Sequence, residues 1–168
     1  MKRIVVLACA ALALSLAACN RGGEGGPAPD PAAAAAAEAF MAKNAKEPGI
    51  KVTPSGVQYR IERSGPEGGP HPKKGDEVKV NYHGTLTNGE VFDSTNERGA
   101  PAIFELNNLV DGWMEILPMM RPGDVWTIYV PPKMGYGERQ AGPIPSNSVL
   151  VFRLELLGVL PHSSVGMG

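Results

Sequence analysis

Between Val80 and Ser94 the chain reads V-N-Y-H-G-T-L-T-N-G-E-V-F-D-S, and no other stretch narrows its possible folds so far. Strand-like runs flank Asn88-Gly89, a pair that tolerates positive φ at both central turn positions, as a tight type I′ hairpin requires. Two antiparallel strands are therefore expected to meet here. Tyr82 leaves the first strand, and Phe92 with Asp93 ends the second. Closing the hairpin would bring a phenol, a phenyl and a carboxylate to one place, a possible pocket edge.

The flanking segments continue the strand pattern. Val57 to Arg63 alternates as V-Q-Y-R-I-E-R, with Val57, Tyr59 and Ile61 expected on one face. A Gly- and Pro-rich loop, Ser64 to Gly75, follows, and Val78, Val80 and Tyr82 resume the alternation. Ile103 to Leu106, Val125 to Val130 and Val149 to Val159 read as further strands. Asp111-Gly112-Trp113 opens a short helix that ends near Met120, before the helix-stopping Pro122-Gly123. In it, Trp113, Ile116, Leu117 and Met120 recur at spacings of three and four, so they should face the concave side of the sheet. Core packing is the expected role for most of them, but Trp113 stands in the first turn, where its ring can floor a pocket. The expected fold is α+β: an antiparallel β-sheet of about five strands wrapped around one short α-helix, spanning residues 49–160 and followed by a flexible tail, 161–168.

The first residues do not belong to that domain. Lys2-Arg3 gives a positive start, Ile4 to Leu16 an apolar run and Leu16-Ala17-Ala18-Cys19 a small-residue cleavage region. The apolar run is short of the roughly 20 residues that cross a bilayer, so residues 1–18 read as a signal peptide of an exported protein. L-A-A-C also resembles the lipobox of bacterial lipoproteins, which implies lipidation of Cys19 and a lipid anchor in the membrane. Asn20, rather than the Asp of the usual inner-membrane retention signal, favours the periplasmic face of the outer membrane. Once the signal is removed, 14 basic residues stand against 17 acidic ones, and no basic stripe remains to neutralise the phosphates of a nucleic acid.

Residues 19–48 form a tether and a helix. Residues 20–31 are rich in Gly and Pro, a composition that behaves as a flexible linker. Asp30 before Pro31 suits an N-cap followed by the first helical position, and Ala32 to Lys46 has strong helix propensity until Pro48-Gly49. Its only large apolar side chains are Phe40 and Met41, so the helix is expected to be exposed or lightly docked.

Several chemistries are poorly supported. His71, His83 and His162 are not at metal-ligand spacing with one another or with a cysteine, so no metal is expected. His83, Ser94 and Asp93 suggest a hydrolytic triad, but His83 adjoins Tyr82 on an alternating strand and should point to the other face. No glycine loop between strand and helix is built to hold phosphate. What remains is a cluster of aromatic and aliphatic side chains with one acid.

The run Y-H-G-T-L-x-N-G-x-V-F-D-S, then G-W-M-E-I-L, P-G-D, G-Y-G-E-R and V-L-V-F-R-L-E-L-L, resembles bacterial FKBP-type peptidyl-prolyl isomerases from about Ser55 to Val159. Gly-Pro-Ile-Pro at 142–145 is most similar to the macrophage-infectivity-potentiator branch. The resemblance implies the same sheet-and-helix fold and isomerisation of X-Pro bonds in exported proteins, assisting their folding without a cofactor. It further implies catalytic roles for Asp93, Tyr136 and Tyr82, and a substrate-binding cavity of Phe92, Leu109, Val110, Trp113, Ile144 and Phe152, with Arg98 and Phe104 in support. Expected partners are proline-containing unfolded or partly folded polypeptides and a macrolide inhibitor of the FK506 class. Longer relatives carry a helical dimerisation domain for which this chain has no room, so a monomer is expected. Ala102, where relatives often have an aromatic, and Gly135, where alanine is common, bear on substrate preference. An exposed cleft would also serve a periplasmic holdase chaperone or an interaction module with weak or no isomerase activity.

Overall fold

Two long alternating strands set the frame, and the computed structural model describes them within residues 31–162. The signal segment, Cys19 and residues 163–168 lie outside the described residues. Nine residues, Glu77–Thr85, form β3, which buries Val78, Val80, Tyr82 and Gly84 and leaves Glu77 and Lys79 exposed. Beside it runs β7 (Leu150–Leu160), paired antiparallel from Glu77↔Leu160 to Thr85↔Val151. With β1 (Lys51–Val52), β2 (Gln58–Arg63), β4 (Val91–Ser94) and β6 (Val125–Val130) they form the order β1-β2-β6-β7-β3-β4, and β5 (Ala102–Glu105) also pairs with β3. The antiparallel α+β sheet is as expected. It holds seven strands rather than about five because β1 is a two-residue bridge and β4 and β5 share one edge of β3.

The sheet's concave side is filled by α3 (Asp111–Ile116) and the 3-10 turn Leu117–Met119 that continues it. Ile116, Leu117 and Met120 are wholly buried and Trp113 nearly so, the stripe that the spacing predicts. Each such side chain contributes about 1.5–3 kcal/mol of burial, measured against an extended chain. The helix lies close on β6: a Cβ on Gly112 would stand 2.6 Å from Val130 Cγ1, so only glycine allows this approach.

Two local expectations change. The hairpin is not a two-residue type I′ turn, since Gly89 (φ 86°) has positive φ and Asn88 does not. Leu86 N–H instead bonds Glu90 C=O at 2.8 Å across a three-residue loop, in which Gly89 N–H bonds Leu86 C=O at 3.0 Å. This is a turn closed by a left-handed glycine, and Asn88 spends its amide oxygen on Glu90 N–H at 3.0 Å instead of adopting positive φ. Ile61 is 37% exposed although it pairs with buried Trp126 in the same register as Tyr59 with Ile128; it stands at the end of that register, which shifts between Ile61 and Arg63.

Of the two placements expected for α1 (Pro31–Asn44), exposed or lightly docked, the helix takes the docked one. Ala37 is buried, and Phe40 lies 6.2 Å from Tyr129, centroid to centroid. Gln58 Nε2 donates to the Met41 carbonyl and Gln58 Oε1 accepts from Asn44 Nδ2, both at 2.8 Å. The polar clasp compensates for the helix's few large apolar side chains.

Candidate functional site

Where α3 meets the curled edge of the sheet, a cleft of about 940 Å³ opens. Strand parity aims Tyr82 of β3 and Phe152 of β7 into it from the concave face. Phe92 and Asp93 are neighbours on β4 and should point opposite ways, yet both line the cleft. The pairing explains this: Gly84 faces Asp93 while Thr85 faces Val91, so Phe92 is an extra residue, a β-bulge that re-aims its side chain. Leu109 and Val110 enter at the start of α3, Trp113 from its first turn, and Tyr136 and Ile144 from the segment joining β6 to β7. All nine sequence-predicted cavity residues, with Arg98 and Phe104, thus meet in one cleft. Cys19 lies outside the described residues.

Trp113 forms the floor. Its ring meets Tyr82 at 5.2 Å, Phe152 at 5.2 Å and Phe104 at 5.9 Å, each nearly perpendicular, and Phe92 meets Phe152 edge-on at 5.4 Å. Edge-to-face contacts of this kind are worth about 0.5–1.5 kcal/mol each beyond area burial, so the walls hold their shape without a ligand. Gly84 is essential to that packing, since a Cβ there would stand 2.7 Å from Phe92 Cε2 and 3.0 Å from Phe152 Cε1.

Three polar groups form a closed network at one wall. The Tyr82 hydroxyl donates to Asp93 Oδ2 and accepts from Arg98 Nη2 at 2.6 Å, while Arg98 Nη1 donates to Asp93 Oδ1 at 2.8 Å. Burial, then the bond to Asp93, raises the Tyr82 phenol above its ordinary 10.0, so it stays protonated and donating at neutral pH. Arg98 is raised too, chiefly by its bond to Tyr82. Asp93 and Arg98 remain about half exposed, so solvent weakens their ion pair, and the network acts more by direction than by strength. Tyr136 differs: it is 36% exposed, and its hydroxyl has no partner among the described residues.

The hydrolytic triad does not assemble. His83 Nδ1 lies 3.1 Å from Ser94 Oγ on the opposite face of β3, but both oxygens of Asp93 are engaged by Tyr82 and Arg98. Ile103, Asn108, Asp111 and Arg139 also line the cleft and escape the sequence reading. Asp111 opens the predicted helix two residues before Trp113 and Arg139 ends the G-Y-G-E-R run, and these positions are the signals that pointed there.

Comparison with known proteins agrees with this fold. A family model described as FKBP-type peptidyl-prolyl cis-trans isomerase matches residues 68–157, and one for the domain amino-terminal to such isomerases matches residues 29–61. The chain is 48% identical over 122 residues to the FKBP-type isomerase FkpA of Aeromonas hydrophila, covering 73% of this chain and 45% of that protein. It is 44% identical over 123 residues to the outer membrane protein MIP of Legionella longbeachae, covering 73% of this chain and 52% of the relative. The chain therefore spans about half the length of the curated relatives it matches. A solved peptidyl-prolyl cis-trans isomerase from Pseudomonas syringae superposes with a TM-score of 0.73 at 33% identity, over 82% of this chain and 100% of that one.

Proposed function

The chain belongs to the FKBP-type peptidyl-prolyl cis-trans isomerase family, and from that premise we propose that it isomerises X-Pro bonds of exported polypeptides and so assists their folding. The observation that carries the reading is the preformed aromatic cleft, floored by Trp113, with the Tyr136 hydroxyl, which has no partner among the described residues, at its edge. Rotation about a peptide bond meets a barrier of about 18–20 kcal/mol, and X-Pro isomers exchange over tens to hundreds of seconds. The twisted transition state loses conjugation and moves charge off the carbonyl, so a dry aromatic cup that fits it better than either planar isomer accelerates rotation. Raising the rate from about 0.01 to several hundred per second requires roughly 6 kcal/mol, within the reach of differential binding without a nucleophile.

In this mechanism the proline ring rests on Trp113 between Tyr82, Phe92, Val110 and Phe152, with Leu109 and Ile144 closing the sides. Tyr136 donates to the carbonyl next to the proline. Asp93 acts through Tyr82, because each of its oxygens already accepts a hydrogen bond. A macrolide of the FK506 class occupies the same cleft. Residues 49–160 are the isomerase domain and α1 with its preceding tether its mount. The chain is exported as a monomer and anchored through lipid on Cys19 at the outer membrane, a location supported by L-A-A-C and by the name of the Legionella relative.

A protease-coupled assay with a prolyl peptide tests the activity on residues 20–168. Turnover that Trp113→Ala abolishes without loss of cooperative melting is expected. A folded chain that suppresses aggregation of unfolded clients but leaves prolyl exchange at the uncatalysed rate would instead make this a holdase or interaction module.

A further inference from the structure

The edge of β3 is interrupted beside the cleft. It pairs with β5 from Glu77 to Val80 and with β4 from His83 to Thr85, so Asn81 and Tyr82 have no strand next to them on that edge. Both main-chain groups of Tyr82 turn into this gap. One hydroxyl takes both of them: Thr95 Oγ1 accepts from Tyr82 N–H at 2.9 Å and donates to Tyr82 C=O at 3.1 Å. Thr95 is 2% exposed, so water cannot replace it in place. Ser94 Oγ adds a long contact of 3.5 Å to the same carbonyl.

We propose that Thr95 is a positioning residue of the cleft, its hydroxyl registering Tyr82 against Asp93 and Arg98; the inference rests on the isomerase reading above. Tyr82 comes from β3, whereas Asp93 and Arg98 come from the end of β4 and from α2 (Thr95–Arg98). The two segments must be held within tenths of an ångström for the phenol to bond both partners. Thr95 is the first residue of α2, which is capped by Ser94 Oγ on Asn96 N–H at 3.2 Å and closed by left-handed Gly99. Its hydroxyl thus ties the turn that carries Arg98 directly to the backbone of Tyr82. Threonine suits the position because its branched Cβ limits χ1, so packing of the methyl aims the hydroxyl. Serine can make the same two bonds with less rotational constraint, and valine has the same shape but can make neither.

The test uses residues 20–168 and two readouts. One is titration of the Tyr82 phenol by NMR of 13C-labelled tyrosine, assigned with Tyr82→Phe, and the other is steady-state prolyl isomerisation. In Thr95→Val the Tyr82 titration should shift back toward 10, and kcat should fall about tenfold with KM little changed. Thr95→Ser should return both readouts to within about twofold of the starting protein. In a Tyr82→Phe background, Thr95→Val should lower turnover no further. Should Thr95→Val not melt cooperatively, Thr95→Cys, whose thiol is a weaker partner, must show both changes in smaller size. A folded Thr95→Val with an unaltered Tyr82 titration overturns the proposal, whatever its activity. Equal loss in Val and Ser variants also overturns it, because the hydroxyl that serine keeps would then not suffice to register Tyr82. Absence of prolyl turnover in the unsubstituted chain refutes the isomerase reading instead, and the Tyr82 titration still decides the role of Thr95.

Discussion

Deleting the chain through Glu47 should destabilise what remains by about 3 kcal/mol and leave the cleft intact. Gln58 is 4% exposed, and its amide makes two hydrogen bonds to α1, each worth about 1 kcal/mol net. Loss of Phe40 from Tyr129 and of the buried Ala37 adds about 1 kcal/mol of apolar burial. The penalty for an orphaned buried amide does not apply, because removing the helix opens Gln58 to water. Ordering an alanine-rich helix costs little beyond what its own hydrogen bonds return, so it offsets only a small part of this sum. For a chain of this size 3 kcal/mol lowers the melting midpoint by roughly 10 °C.

Thermal and urea melts of residues 20–168 and 48–168 measure the difference directly. Gln58→Ala supplies the control: it should cost about 1–2 kcal/mol in the longer chain and close to nothing in the shorter, the non-additivity expected of a shared contact. No residue of α1 lines the cleft, so prolyl turnover at a temperature well below both midpoints should agree within about twofold. Coincident melts, or a Gln58→Ala cost equal in both chains, would refute the docking argument.

Tyr136→Phe removes a hydroxyl that has no partner among the described residues, so folding should be unchanged and turnover should fall up to about tenfold, the value of one hydrogen bond of about 0.5–1.5 kcal/mol. Asp93→Ala should lower kcat with little change in KM, checked by steady-state kinetics beside a melt, because Asp93 also holds Arg98. Gly84→Ala should force the Phe92 and Phe152 rings apart at a cost of about 1–3 kcal/mol. A macrolide of the FK506 class at 100 times its dissociation constant should stabilise the unsubstituted chain by about 2.7 kcal/mol and the Gly84→Ala variant by less, as thermal shift would show. Acid should weaken the fold through two carboxylates. Asp76 is held below its ordinary 3.8, first by His162 N–H and then by Lys73 N–H, and Glu155 below 4.5, first by Asn81 and then by Arg63. Both favour the ionised folded state, so their contribution is complete above about pH 4.5 and is lost as pH falls through the lowered values. Asp76→Asn should flatten that acid limb of the melting profile.

The walls of the cleft were legible because they obey a period. Tyr82 and Phe152 follow strand parity, and Trp113, Ile116, Leu117 and Met120 follow helical spacing, so counting along the chain puts them on the concave side. Phe92 breaks the rule, and there the count fails: parity would send it away from Asp93, and only the bulge opposite Gly84 and Thr85 brings both inward. The closing of the hairpin, and then the family resemblance, pointed to Phe92 where periodicity alone would have rejected it. Ile61 shows that parity sets a face and not a depth: it keeps Tyr59's register on β6, opposite buried Trp126, yet is 37% exposed at the end of that register. The clamps have no period at all. Gln58 on α1 and Thr95 on Tyr82 are polar side chains bonded to main chain 17 and 13 residues away, and nothing in their neighbours' hydrophobicity marks them. Each stands where a regular element stops short, α1 lacking a broad apolar face and β3 lacking a strand beside Tyr82. Main-chain groups left over at such gaps must find a partner when buried. In a chain of this kind, the polar residues worth substituting first are those nearest the ends of predicted strands and helices, because a hydroxyl or amide there can do the work of a missing neighbour.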